Sequence, residues 1–209
     1  GALLGAERDF PGIPKCPLRD SQTHPPCTKH GEKEVLHMLD QGRLSERLVT
    51  KLEAFKQGDT AIKALNDVVV NKRIASSCVR YRLWLDDDPH AQQIVGDGLV
   101  VATPFGSTAY YRSITRSLFQ LGIGLAFNNS TEPFDHLVVA QDTQIHVQIL
   151  RGPALMLADN SPLRIPLEKQ DMVTVRRAEE TTTILGLEAF RCQECYENRQ
   201  RYVDGLEIN

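Results

Sequence analysis

From residue 64 onward the chain alternates short apolar runs with polar or turn-forming residues. The runs ALNDVVV, CVRYRLWLD, QQIVGDGLVVATP, HLVVAQD, TQIHVQIL, ALMLADN, MVTVRR and TTTILGL succeed one another at short intervals. Alternating or continuous apolar runs of this length predict strands, and so many joined by short turns predict a β-sandwich or related layered sheet. One stretch breaks the pattern. In STAYYRSITRSLFQL, residues 107–121, Tyr110, Ile114, Leu118 and Leu121 fall at helical spacing behind a Ser107 or Thr108 cap, with Gly122 as a stop.

Upstream of residue 64 the signals are weaker. Residues 11–30 hold five prolines and little periodicity, which predicts a loop or linker. GEKEVLHMLDQG places Val35, Leu36 and Leu39 among polar residues and ends on Gly42, a short amphipathic helix. The next segment is open: Leu44, Leu48, Leu52 and Phe55 suit a helical face, while Leu48, Leu52 and Ala54 also suit one side of a strand.

Composition narrows the function classes. A chain of 209 residues is long enough for one large domain or two small ones. With 24 Lys+Arg against 27 Asp+Glu and a net charge of −3, it has no basic excess for nucleic acid or an anionic membrane. The opening GALLGAERDF is too short for a signal-peptide core and no later run approaches a membrane span, so the expectation is a cytoplasmic protein. Five cysteines at irregular spacing do not suggest a disulfide framework, and reduced thiols are expected.

The densest local signal is GDGLVVATPFGSTAYYRS at 96–113, in which a strand leads through Pro104 and Gly106 into a helix start. The first N–H groups of such a helix, with the Ser107 and Thr108 hydroxyls, can hold a ribose, an amide or a phosphate, or the helix is merely well capped. The segment lacks the Lys of a Walker A loop and the third Gly of a Rossmann fingerprint. Asp97 sits between two glycines, where a ligand can approach or the side chain can bond its own turn. Asn66 and Asp67 precede an apolar strand, at an edge or facing a cleft.

No metal site is assigned from the sequence. Cys192-Gln-Glu-Cys195 has no second pair after it, and His24, Cys27 and His30 lie in a Pro-containing loop where their spacing need not converge. His37, His90, His136 and His146 are scattered, with His146 expected at the surface. No G-x-S-x-G and no Cys in a recognisable active-site context supports a nucleophile.

Taken together, LNDVV at 65–69, GDGLVVATPFGSTAY at 96–110 and LADNSP at 157–162 resemble the NAD kinase family in order and spacing, over most of residues 31–188. The resemblance implies an α+β chain: mainly a C-terminal β-sandwich-type domain with a few helices, plus the remnant of an N-terminal α/β domain. The expected boundaries are residues 1–45 for the remnant with its connecting loop and helix, 46–190 for the NAD-binding sandwich and 191–209 for a C-terminal tail. On this reading 31–41 is a helix and 46–55 a strand.

The resemblance also implies an enzyme that moves a phosphoryl group from ATP, or a similar donor, to the 2′-hydroxyl of the adenosine ribose of NAD, with Mg²⁺ on the donor phosphates. Its NAD-lining residues carry over to Asn66, Asp67, Asp97, Thr108, Ala109, Tyr110 and Ser113, and Asp159 resembles the Asp of a family turn near the ligand. The family commonly assembles as dimers or tetramers, sometimes completing sites across subunits. The expected partners are therefore NAD, ATP and further copies of the chain.

The sequence departs from the family at three places. The family's Asn-Glu is Asn66-Asp67 here, shorter in reach by about 1.5 Å, the length of one C–C bond. Two glycines that commonly succeed the family's Ser are Thr115 and Arg116, the latter a candidate to meet a phosphate. No GGDG, whose Asp is the expected general base, occurs in the 209 residues. In the family that motif runs on into a small residue and Leu-Leu, and the opening GALLGAERDF resembles this continuation. The expectation is that Gly1 is the motif's last glycine and that the chain given starts just after the catalytic Asp. The alternatives are a non-catalytic NAD- or NADP-binding protein and a related lipid kinase, the latter disfavoured by the TAY segment.

Overall fold

The structure is a computed structural model that describes residues 1–19, 27, 29–57, 59, 62–188, 192–195 and 197–198. His24 and most of the expected tail lie outside the described residues. The chain divides into two compact units: Gly1–Arg8 with Thr50–Thr181, and Asp9–Val49 with Thr182–Asn209.

Two six-stranded sheets dominate. The strands of the first are β1 (Glu46–Lys56), β2 (Ile62–Ala64), β4 (Val79–Leu85), β5 (Asp88–Gly96), β9 (Ile145–Arg151) and β12 (Met172–Leu185), in the order β2-β1-β12-β9-β4-β5. Those of the second are β3 (Asp67–Lys72), β6 (Gly98–Ala102), β7 (Ile123–Asn128), β8 (His136–Val139), β10 (Ala154–Ala158) and β11 (Ile165–Leu167), in the order β11-β10-β3-β6-β7-β8. Every ladder of the second sheet is antiparallel. The predicted layered-sheet class with few helices is what the structure shows.

Period-two alternation explains the layering. Val68 and Val70 of β3, Leu99 and Val101 of β6, and Leu125 and Phe127 of β7 join Tyr81, Leu83, Ile145, Val147, Ile149, Val173 and Val175 of the first sheet in one continuous core. The opposite parity, Val69, Val100, Ala102 and Ala126, forms a second cluster with Tyr111. Strands covered on both faces need apolar residues at every position, and all five residues of β6 are buried.

Three sequence expectations change. MVTVRR and TTTILGL form one 14-residue strand, β12, not two. Its charged middle is paired across the sheet: Arg176 meets Glu53 at 2.7 Å, and Glu180 meets Lys63 and, at 3.4 Å, Lys51. Strand β7 is not among the predicted runs. The third change, to the predicted helix before it, bears on the site below. The segment 46–55, open by periodicity and a strand by resemblance, lies within β1, and Glu32–Asp40 is helical as predicted, α2 after α1 (Ala2–Asp9).

In the second unit, Lys15 bridges Ile184 in parallel, exchanging bonds with Thr183 and Leu185, and the Gly186 N–H donates to the Ser45 carbonyl at 2.9 Å.

Candidate functional site

The site is built around the turn that enters β3. Thr103 holds it from one side: its backbone N–H donates to the Asn66 carbonyl at 2.8 Å, and its hydroxyl donates to the Leu65 carbonyl at 2.7 Å. The same Thr103 oxygen accepts the Gly106 N–H at 3.0 Å. Gly106 is packed so closely that an added Cβ would lie 2.1 Å from the Asn66 carbonyl oxygen. The Thr-Pro-Phe-Gly corner therefore rests directly on the Asn-Asp turn, and a residue with a side chain at 106 would force them apart.

Asp159 holds the turn from the other side. Register sets it there, because Ala158 pairs with Val68 and Leu157 with Val69. Its carboxylate accepts the backbone N–H groups of Leu65, Asn66 and Asp67 at 2.7, 2.8 and 3.1 Å. In return its own N–H donates to the Asp67 carbonyl at 3.0 Å. Such charge-assisted bonds are stronger than neutral ones and fix backbone geometry. Asp159 adopts a positive φ of 48°, a conformation that Asp tolerates better than most residues.

Asp67 is 6% exposed and shares the strand parity of Val69. Burial, reinforced by the Asp159 charge, pushes its carboxyl up to about 7. Burial also raises Asp159, opposed by its three N–H donors and by Lys51. Lys51 is buried and ion-paired with Glu7 of α1 at 2.7 Å. The start of α1 is fixed to the same region, since the Asn160 amide donates to the Gly1 carbonyl at 3.0 Å.

The predicted helix over 107–121 is much shorter. A 3-10 turn at Gly106–Thr108 leads into α3 (Tyr110–Thr115), which Arg116 ends at a φ of 56°. Neither Ser107 nor Thr108 caps α3: the Ser107 hydroxyl lies 2.8 Å from the Pro104 carbonyl and 3.1 Å from that of Phe119. The face also differs, because Tyr111 and Thr115 are buried whereas Leu118 and Leu121 are 52% and 83% exposed. Tyr111 packs edge-on against Phe119, with ring centroids 5.0 Å apart.

This rotation of the helix leaves Thr108, Tyr110 and Ser113 facing outward, with Ala109 half-buried. Ser113 donates to the Tyr110 carbonyl at 2.7 Å, and the Tyr110 hydroxyl accepts from the Asn128 amide at 3.1 Å. Burial, then the charges of Asp67 and Asp97, raise the Tyr110 phenol above its ordinary value. Tyr110 thus feels both carboxylates.

Those carboxylates are not neighbours. Asp67 pairs with Ala102 and Asn71 with Gly98, so Asp97 lies at the far end of the β3–β6 ladder, roughly 15 Å along it. There Asp97 is ion-paired with Lys72 at 2.7 Å. Among the expected residues, Asn66, Asp67 and Asp159 form one turn, Thr108, Ala109, Tyr110 and Ser113 form the adjoining outward face, and Asp97, away from Asp67, reaches that face through Asn128, whose carbonyl accepts its N–H at 2.9 Å. Thr103 and Lys51 carry no signal in the sequence that marks them as part of the site, and Gly106 is marked there only as part of the turn into the helix. The two metal-like patterns, weighed separately in the sequence, meet: Cys27, His30, Cys192 and Cys195 converge in the second unit.

Comparison with known proteins bears on these groups. A family model described as the ATP-NAD kinase C-terminal domain matches residues 65–187. The chain is similar to the NAD kinase of Nitrosospira multiformis, 30% identical over 161 residues that make up 73% of this chain and 54% of that protein. It is also similar to the NAD kinase of Burkholderia pseudomallei, 34% identical over 164 residues, 73% of this chain and 53% of that protein. The chain spans about half the length of these curated relatives. Among solved structures it resembles yeast NADH kinase complexed with NADH, with a TM-score of 0.68 and 18% identity over 85% of this chain and 55% of that one. An NAD kinase from Archaeoglobus fulgidus in complex with ATP gives a TM-score of 0.63 and 18% identity, covering 81% and 65%. At that identity the likeness establishes the fold.

Proposed function

Because this chain belongs to the ATP-NAD kinase family, we propose that it is the dinucleotide-holding part of an enzyme that phosphorylates the 2′-hydroxyl of the adenosine ribose of NAD to give NADP. The observation that carries the reading is the Asn66-Asp67 turn, clasped by Asp159 and underlaid by Thr103 and Gly106, with the outward face of 108–113 beside it.

Each group has a chemical task in that reading. The Asn66 amide can both donate to and accept from an adenine edge, and Ala109 leaves room for a flat ring. Asp67 accepts from a ribose hydroxyl when ionised and donates when protonated, and with its carboxyl near 7 both forms are populated at neutral pH. Tyr110 and Ser113 border the same surface. Phosphoryl transfer depends largely on holding acceptor and donor in line, so these residues contribute to turnover as well as affinity. ATP enters as its Mg²⁺ complex, the metal being part of the donor substrate.

Proton abstraction from the 2′-hydroxyl calls for a further carboxylate, the Asp of a GGDG motif that the 209 residues do not contain. A homo-oligomer rests on the family resemblance, while Asp97 borders the Tyr110 face through Asn128, whose carbonyl accepts the Asp97 N–H at 2.9 Å and whose amide donates to the Tyr110 hydroxyl at 3.1 Å.

The test is formation of NADP from NAD and Mg-ATP by the full-length protein. Asp67→Ala and Asp97→Ala are each expected to lower both affinity and turnover, and wild-type rates in both variants would refute the site. Tight calorimetric binding of NAD without turnover would replace the kinase reading with a non-catalytic dinucleotide-binding protein.

A further inference from the structure

We propose that Cys27, His30, Cys192 and Cys195 bind one zinc ion in a closed, tetrahedral Cys₃His site that ties residues 27–30 to the 192–195 segment within the second unit. The site is independent of the kinase reading. Each half alone is a weak pattern, a Cys-x-x-His in a proline-rich loop and a lone Cys-x-x-Cys. Their separation in sequence, 165 residues between Cys27 and Cys192, is removed by the fold.

The distances are those of a coordination polyhedron rather than of a packed core. All four ligand atoms lie within 4.8 Å of one another. Cys27 Sγ is 3.9 Å from Cys192 Sγ and 3.3 Å from His30 Nδ1, and Cys195 Sγ is 3.8 Å from the same nitrogen. For Zn–S and Zn–N bonds near 2.3 and 2.0–2.1 Å at tetrahedral angles, the expected edges are about 3.8 Å for S···S and about 3.6 Å for S···N. Van der Waals packing would set a similar lower limit for any one pair, but it has no reason to bring three sulfurs and one ring nitrogen to a common centre.

Backbone donors surround the sulfurs as they do around metal-bound thiolates. The Cys27 N–H donates to Cys195 Sγ at 3.4 Å, the Lys29 N–H points at Cys27 Sγ, and those of Glu194 and Cys195 point at Cys192 Sγ. The His30 N–H donates to the Cys27 carbonyl at 3.2 Å, closing the Cys-x-x-His turn so that Nδ1 faces the thiols. Cys27 and Cys195 are 3% and 0% exposed. An S₃N tetrahedron with four protein ligands, two of them buried and two half-buried, selects zinc and leaves no open position for water, which marks a structural site. On binding, three thiol protons leave to solvent and Zn²⁺ takes the three thiolates and the neutral imidazole, so affinity falls as pH falls.

The experiment is metal analysis of the full chain, grown with zinc and purified under reducing conditions. We expect about one zinc per chain, and cobalt substitution giving the thiolate-to-metal absorption of a tetrahedral sulfur-rich site. The double variant Cys192→Ser/Cys195→Ser is expected to hold less than roughly one tenth of an equivalent. Should that variant fail to fold, chelation of the wild-type chain must release zinc and lower its melting temperature, and re-addition must restore both. A wild-type chain without stoichiometric zinc, a double variant that keeps it, or a Cys27–Cys192 disulfide under reducing purification would each overturn the proposal.

Discussion

Asp159 and Asp67, 92 residues apart in sequence, hold each other's backbone: the Asp67 N–H donates to the Asp159 carboxylate at 3.1 Å and the Asp159 N–H donates to the Asp67 carbonyl at 3.0 Å. Asp159→Asn retains the shape but removes the charge that three N–H groups share. Bonds to charged acceptors contribute about 1.5–3 kcal/mol each, and an amide oxygen keeps part of that. The expected loss is about 2 kcal/mol, a fall in melting temperature of about 4–8 °C for a chain of this size, read by thermal denaturation.

The carboxyl of Asp67 makes stability depend on pH with an unusual sign. Burial and the Asp159 charge raise it from an ordinary 3.8 to about 7. Between those values the folded chain holds a proton that the unfolded chain has released, so this residue's contribution is full below about pH 4, declines as pH rises and is lost above about pH 7. The full swing is at most about 4 kcal/mol, three pH units at about 1.4 kcal/mol each. Asp67→Asn should abolish this slope, as judged by melting temperatures of the two proteins across the range, and parallel profiles would show that Asp67 titrates normally.

Arg116 ends α3 at a φ of 56°, a region in which a side chain meets its own backbone. Arg116→Gly is expected to stabilise the chain by about 1 kcal/mol, raising its melting temperature by about 2–4 °C. A lower melting temperature would mean that the arginine side chain makes interactions that outweigh the backbone strain.

Much of this site is legible without the fold, and the parts that are not share a cause. Asn66 and Asp67 stand out locally because polar residues abut an apolar strand, whereas their assignment to a ligand, and the choice of Asp159 altogether, come from the resemblance to the family. The helix predicted over 107–121 is too long because Leu118 and Leu121 have the right spacing, yet both are exposed, and no periodicity reports that Arg116 turns left-handed. Strand β7 reads IGLAFN, with its first five residues buried and no alternation to distinguish it from the end of a helix. Thr103 and Gly106 matter through contacts to Asn66 and Leu65 nearly forty residues away. The Cys-x-x-His and Cys-x-x-Cys halves are the extreme case, each unremarkable until β-topology brings distant ends of the chain together.

The order of the strands also bears on how the molecule avoids its own kind. Three of the four sheet margins are formed by β2, β8 and β11, with three, four and three residues, so each offers only a short row of unpaired backbone groups to another chain. The fourth, β5, is nine residues long, but it opens on Asp88 and Pro89, and the adjoining β4 ladder slips register between Tyr81 and Trp84. A proline cannot donate to an incoming strand, and an irregular ladder twists the margin out of plane. A fold dominated by two sheets is thereby discouraged from extending them from molecule to molecule.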